Sequence, residues 1–114
     1  IAFLDDTILN RQLAPELTDL LLENNPQSNT FVYLQIISSV QDSILFDKLL
    51  IHLENTTLNY REMDLIRFFL EQPNKFYHQR LVKLYHQLVE KQTEYSYCLY
   101  DFKIYLIQYG LIPS

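Results

Sequence analysis

The sequence predicts an all-α fold: six or seven antiparallel helices arranged as an irregular α-solenoid fragment or a helical bundle. Three observations carry this. Among 114 residues there is one glycine, Gly110, and glycine supplies the positive-φ positions that tight hairpins, bulges and phosphate loops require. The four prolines, Pro15, Pro26, Pro73 and Pro113, stand at the edges of apolar-periodic stretches, where a residue that breaks helices does no harm. Between them, apolar side chains recur three and four residues apart, which is the period of a half-buried helix.

The elements follow in order. Phe3, Leu4, Ile8 and Leu9, behind the possible caps Asp5 and Asp6, predict a short first helix. A second is expected to begin with Pro15 at its first helical position, with Glu16 and Asp19 in the opening turn where the helix dipole favours negative charge. Its inner face is Leu17, Leu20 and Leu21, and Asn24-Asn25-Pro26 ends it, because a residue before proline avoids helical geometry. From Ser28 to Glu54 neither glycine nor proline interrupts the chain, yet the periodicity changes direction. Tyr33, Ile36, Ile37, Val40 and Ile44 cluster on one side, whereas Phe46, Leu49, Leu50 and Leu53 cluster about 150° away. One straight helix cannot aim both sets at one core. The expected break lies near Ser38-Ser39, with Ser39 as N-cap of the following helix and Asp42 at its third position.

Asn59, with Glu62 three residues later, has the spacing of a capping box, and Met63, Ile66, Phe69 and Leu70 follow at helical intervals. Gln72-Pro73-Asn74 reads as a stop and a restart. The helix from Asn74 to about Lys91 has the clearest stripe, Tyr77, Leu81, Leu84 and Leu88, opposed by Gln79, Lys83, His86 and Glu90. The last segment, Thr93 to Tyr109, is crowded with aromatics: Tyr95, Tyr97, Tyr100, Phe102, Tyr105 and Tyr109. Tyr100 to Ile104 alternates like a strand, but about fifteen residues without a turn or a partner strand fit a helix better. A helix apolar on most sides is expected to be surrounded, either at the centre of the domain or by a partner.

Composition bounds the rest. A chain of this length buries roughly two-thirds of its unfolded surface, and a hydrophobic fraction of 48% is enough for that. A single helical domain over residues 1–114 is expected, excised from a longer polypeptide because the chain begins at Ile1 without a methionine or a visible secretory signal. The lone cysteine, Cys98, fits a reducing, intracellular (cytoplasmic) compartment. No transmembrane segment is expected, since the longest charge-free run, Asn24 to Gln41, is interrupted by Asn, Gln, Ser and proline. Net charge is −5, with four basic and eleven acidic residues in 1–72 against five and three in 73–114. An acidic chain is a poor nucleic-acid binder, because such binding runs on phosphate neutralisation by Lys and Arg. The basic segment is left free to meet an acidic protein, or peripherally an anionic lipid surface.

One glycine excludes glycine-rich phosphate loops, dinucleotide fingerprints and the G-x-S-x-G elbow. His86 and Glu90 sit four residues apart and could both face a metal, but no further ligand is placed and a solvated polar face explains the pair. His52 reads as a partly buried core residue and Cys98 as a small buried apolar one. No catalytic, cofactor-binding or metal-ligating residue is assigned, and no cofactor is expected. The surplus is in tyrosine, a rigid apolar body with a polar tip that suits interfaces and half-buried positions alike. Tyr97, Tyr100, Ile104 and Tyr105 are therefore candidate partner-binding residues, with core packing left open as the alternative; Lys75, Arg80 and Lys83 are candidates too, although with Lys91 they read first as a solvated face.

Leu53-Glu54-Asn55 through Asn59-Tyr60-Arg61, then His86-Gln87-Leu88-Val89, then Ile107-Gln108-Tyr109-Gly110-Leu111-Ile112 together resemble the C-terminal helical scaffold in the regulatory subunit of the Mon–Ccz Rab exchange complex. More loosely they resemble the α-solenoids of vesicle-tethering subunits. The likeness covers about the last sixty residues and departs from the pattern at Gly110-Leu111-Ile112-Pro113, where a polar ending is expected. It implies a scaffold that binds partners in endosomal traffic, without catalytic residues. The expected function is thus a non-catalytic interaction module. A free-standing bundle that sequesters or inhibits one partner is the alternative, and an enzyme whose pocket gathers His52, His78 or His86 with a carboxylate is a third.

Overall fold

In the computed structural model the described residues are 7–23, 30–91 and 97–114. They form six helices and no strand: α1 (Thr7–Leu22), α2 (Thr30–Val40), α3 (Ser43–Asn55), α4 (Tyr60–Glu71), α5 (Lys75–Lys91) and α6 (Tyr97–Gln108). The all-α fold is as expected, and the aromatic last segment is a helix from Tyr97 to Gln108, with Thr93 to Ser96 outside the described residues. The chain divides into two compact units, 1–55 and 56–114.

In the first unit α1 packs against α2 and α3. Its buried face is small and partly polar: Asn10, Ala14, Thr18 and Leu21. Small side chains let helix axes approach closely, and the polar ones make hydrogen bonds within α1 and across to α2. Asn10 Nδ2 donates to Ser39 Oγ at 3.0 Å, Ser39 Oγ donates to the Ile36 carbonyl at 2.6 Å, and Thr18 Oγ1 donates to the Ala14 carbonyl at 2.8 Å.

That face corrects the reading of two helices divided at Pro15. Proline lies inside one continuous helix, although it removes a backbone donor and crowds the carbonyl four residues back. Pro15 and Arg11 both sit on the solvent side, so the carbonyl that loses its partner opens to water. The buried line Asn10–Ala14–Thr18–Leu21 meanwhile runs past the proline unbroken. Tertiary burial here outweighs local propensity. The suggested caps Asp5 and Asp6, with Phe3 and Leu4, lie outside the described residues, as does Asn24-Asn25-Pro26.

The change of direction between α2 and α3 is present, three residues later than expected. Gln41 takes φ 54°, a left-handed conformation that costs a non-glycine residue roughly 1–2 kcal/mol, and its Nε2 donates to the Ser38 carbonyl at 2.7 Å. Asp42, not Ser39, caps α3: its Oδ1 accepts from the Ile44 N–H at 2.9 Å. Ser39 lies inside α2, its hydroxyl engaged with Asn10 and the Ile36 carbonyl. α3 buries Leu45, Phe46, Leu49, Leu50 and Leu53, while Ile44, placed by periodicity with the inner set of α2, is 69% exposed because α3 begins before it and rotates it outward.

In the second unit α4, α5 and α6 each touch the other two. Asn59 caps α4 as expected, with Oδ1 accepting from Arg61 N–H at 3.1 Å and Glu62 N–H at 3.4 Å. Asn74 restarts the chain, its Oδ1 accepting from Phe76 N–H at 2.9 Å. α5 buries Tyr77, Leu81 and Leu84, with Leu88 half-buried at the same face. Gly110 is used where the geometry demands it: at φ +70° it closes α6 with Gly110 N–H to Ile107 O at 3.0 Å and Leu111 N–H to Leu106 O at 2.9 Å. Those two bonds are the reciprocal pair of a Schellman motif.

Candidate functional site

α6 was expected to be enclosed on most sides; it is buried along one line. Cys98, Phe102 and Leu106, four residues apart, face inward. Tyr105 is half-buried beneath Arg67 of α4, whose guanidinium carbon lies 5.7 Å from the ring centre. Tyr100, Ile104 and Ile107 lie roughly 140–200° around the helix from Phe102. Tyr100 is 48% exposed, and the two isoleucines are half-buried. Tyr97 opens the helix on that same side by position, but its side chain lies outside the described residues. The four candidates therefore differ by residue: Tyr100 is outward, Ile104 is half-buried, Tyr105 is held by a cation, and the Tyr97 side chain lies outside the described residues.

α5 has three faces. Tyr77, Leu81 and Leu84 point to the core, with Tyr77 edge-on to Phe69 of α4 at 5.3 Å. One flank carries Tyr85, edge-on to Phe102 of α6 at 5.5 Å. Phe76, Arg80, Lys83 and Gln87 lie roughly 70–130° to the other side of the buried line. Phe76 is 56% exposed, and the Arg80 guanidinium carbon stands 5.6 Å from its ring centre. Lys83 and Gln87 are exposed, and Lys75 is exposed about opposite the buried line. Since the Tyr85 flank is the one turned to α6, the candidate cations and the candidate α6 side chains do not form one site. They form two surfaces.

Sequence reading missed Phe76, Arg67 and Ile107 as members of these surfaces. Phe76 precedes the inner Tyr77 by one residue, and only the inward line was read; its exposure follows from the 100° step between neighbours.

Groups that could do chemistry are scattered. His52 is half-buried in α3 and His86 is exposed on α5. His78 is half-buried with Nε2 lacking a hydrogen-bond partner. Among the described residues no three His, Cys, Asp or Glu side chains gather as a metal site. Cys98 is 5% exposed, and burial, then the nearby charges of Asp101 and Glu62, raises its thiol pKa. A thiol held protonated is a poor nucleophile. No helix among the described residues is long and apolar enough to cross a membrane.

Compared with protein-family models, curated proteins and solved structures, the chain matches none.

Proposed function

We propose that the chain is a helical protein–protein interaction module, a non-catalytic part of an intracellular scaffold, and that its resemblance to Rab-exchange and vesicle-tethering scaffolds reflects service in membrane traffic. One observation carries the reading: α6 keeps Tyr100, with Ile104 and Ile107 beside it, on the side away from its buried line. An exposed tyrosine flanked by two half-buried isoleucines on one helix is what a docking surface requires, and tyrosine suits the boundary between dry contact and water.

The test is quantitative capture from cell lysate by the wild-type chain and by Tyr100→Ala, read by mass spectrometry beside helicity and melting. The expected result is a several-fold loss of specific partners with helicity preserved. Equal capture by both proteins overturns the reading, and collapse of the variant's fold assigns Tyr100 to the core.

A further inference from the structure

We infer that the α2–α3 turn is a strained hinge through which two copies of this chain exchange α3. Gln41 enters the helix, residues 30–55 become one rod, and the second half of that rod takes the place of α3 in the other copy. The occupant is a second copy of this chain because it carries the very face that the vacated site already fits. The exchange is independent of the α6 surface.

The strain is local. Only Gln41 and Asp42 separate Val40, the end of α2, from Ser43, the start of α3, and Gln41 holds φ 54°. A left-handed residue other than glycine is disfavoured by a factor of roughly 5–30. Nothing else opposes a continuous helix, since neither glycine nor proline occurs from Ser28 to Glu54. Short connections under strain invite exchange, because opening relieves them and the lost contacts re-form with another copy.

The hydrophobic pattern points the same way. Ile44 is 69% exposed and Ile51 48% exposed on α3, an unusual place for two isoleucines seven residues apart. In one straight rod both fall within about 40° of Tyr33, Ile37 and Val40 of α2. The closed fold breaks this line at Gln41, and the straightened rod restores it. In a reciprocal exchange the two hinges lie together at the two-fold axis, so Ile44, three residues beyond Gln41, is carried to the new contact between copies. The old contacts survive the exchange: α3 packs on α1, buries Leu45, Phe46, Leu49, Leu50 and Leu53, and places Lys48 Nζ 3.7 Å from Asp19 Oδ1. Each of these forms equally well between copies.

The balance is set by concentration. A short connection holds its two helices at an effective concentration in the millimolar range, and a dimer relieves two hinges, so the strain factor enters squared. The dissociation constant then falls at about 1–40 µM.

Wild type, Gln41→Gly, Ser43→Pro and Tyr100→Ala are each refolded from denaturant at about 1–500 µM and sized by chromatography with light scattering. Glycine takes the left-handed conformation freely and is a poor residue for continuing a helix. Proline at Ser43 occupies the first position of α3, where no N–H is needed, and blocks a helix that runs through it. Both hinge variants are expected to keep the helicity of the closed monomer and to weaken dimerisation at least tenfold, while Tyr100→Ala leaves it unchanged. Location of the exchange is read by mixing unlabelled chains with chains of heavy nitrogen before refolding, then joining Lys48 to Asp19 with a carbodiimide. Linked peptides from the dimer are expected to pair one light with one heavy half, and those from the monomer to match. A chain that stays monomeric throughout, a dimer undiminished in Gln41→Gly, or a dimer without mixed peptides each overturns the inference. Dimerisation lost in Tyr100→Ala but kept in the hinge variants assigns it to α6 and overturns it as well.

Discussion

The unit spanning residues 1–55 packs α1 through Asn10, Ala14, Thr18 and Leu21, whereas the unit spanning 56–114 fills the equivalent space with Phe69, Tyr77, Leu81 and Phe102. The first brings helices close and ties them with a hydrogen bond from Asn10 to Ser39. The second keeps them apart with rings that meet edge to face, Phe69 on Tyr77 and Tyr85 on Phe102. A unit of about 60 residues buries only about 60% of its unfolded surface, so neither has stability to spare. They are exposed to opposite faults: added volume in one, removed volume in the other.

The largest effect is expected where a ring is removed. Phe102 is fully buried at the crossing of α5 and α6, and Phe102→Ala should cost about 3–5 kcal/mol. Hydrogen exchange is the measurement, with protection lost across the α4–α6 amides. A loss under about 1 kcal/mol would mean that the aromatic contact is loosely held. The mirror experiment is Ala14→Leu, which adds volume at a fully buried site facing α2 and α3. It should cost about 1–3 kcal/mol, and neutrality would show that α1 does not approach its neighbours as closely as its small face implies.

These opposite faults also explain what the sequence disclosed and what it hid. The stripe of α5 was legible because Tyr77, Leu81, Leu84 and Leu88 are large and the residues opposite them are polar. Asn59 and the Gln72-Pro73-Asn74 restart were legible because caps and prolines act locally. The inner face of α1 was not, since Asn10, Ala14 and Thr18 do not read as hydrophobic and Pro15 reads as a boundary. The end of α2 depends on a left-handed Gln41, where neither the glycine nor the asparagine that would signal that conformation is present. The two candidate surfaces were half legible: their residue types were evident, but whether Lys83 and Tyr100 share a face depends on which flank of α5 meets α6, and a single chain's periodicity does not say.

Capping should not distinguish the units, because the physics is confined to the first turn of a helix. Asp42 serves α3 and Asn59 serves α4 through the same side-chain oxygen contacts. Asp42→Ala and Asn59→Ala should each cost about 1 kcal/mol, measured by denaturant titration. A much larger loss at Asp42 would show that the strained turn at Gln41 depends on that cap.

The smallest effect is expected from the ion pair in the first unit. Lys48 Nζ and Asp19 Oδ1 lie 3.7 Å apart, linking α3 to α1, with side chains 50% and 64% exposed. Two long exposed groups must be ordered to hold that geometry, and water and salt screen what attraction remains, so Lys48→Ala should change stability by less than about 0.5 kcal/mol. The same substitution raises the negative charge of a unit that already carries eight acidic residues against two basic ones. A loss that is sizeable at low salt and fades above about 0.5 M would therefore point to the unit's general repulsion, whereas a loss independent of salt would point to the packed lysine stem between α1 and α3.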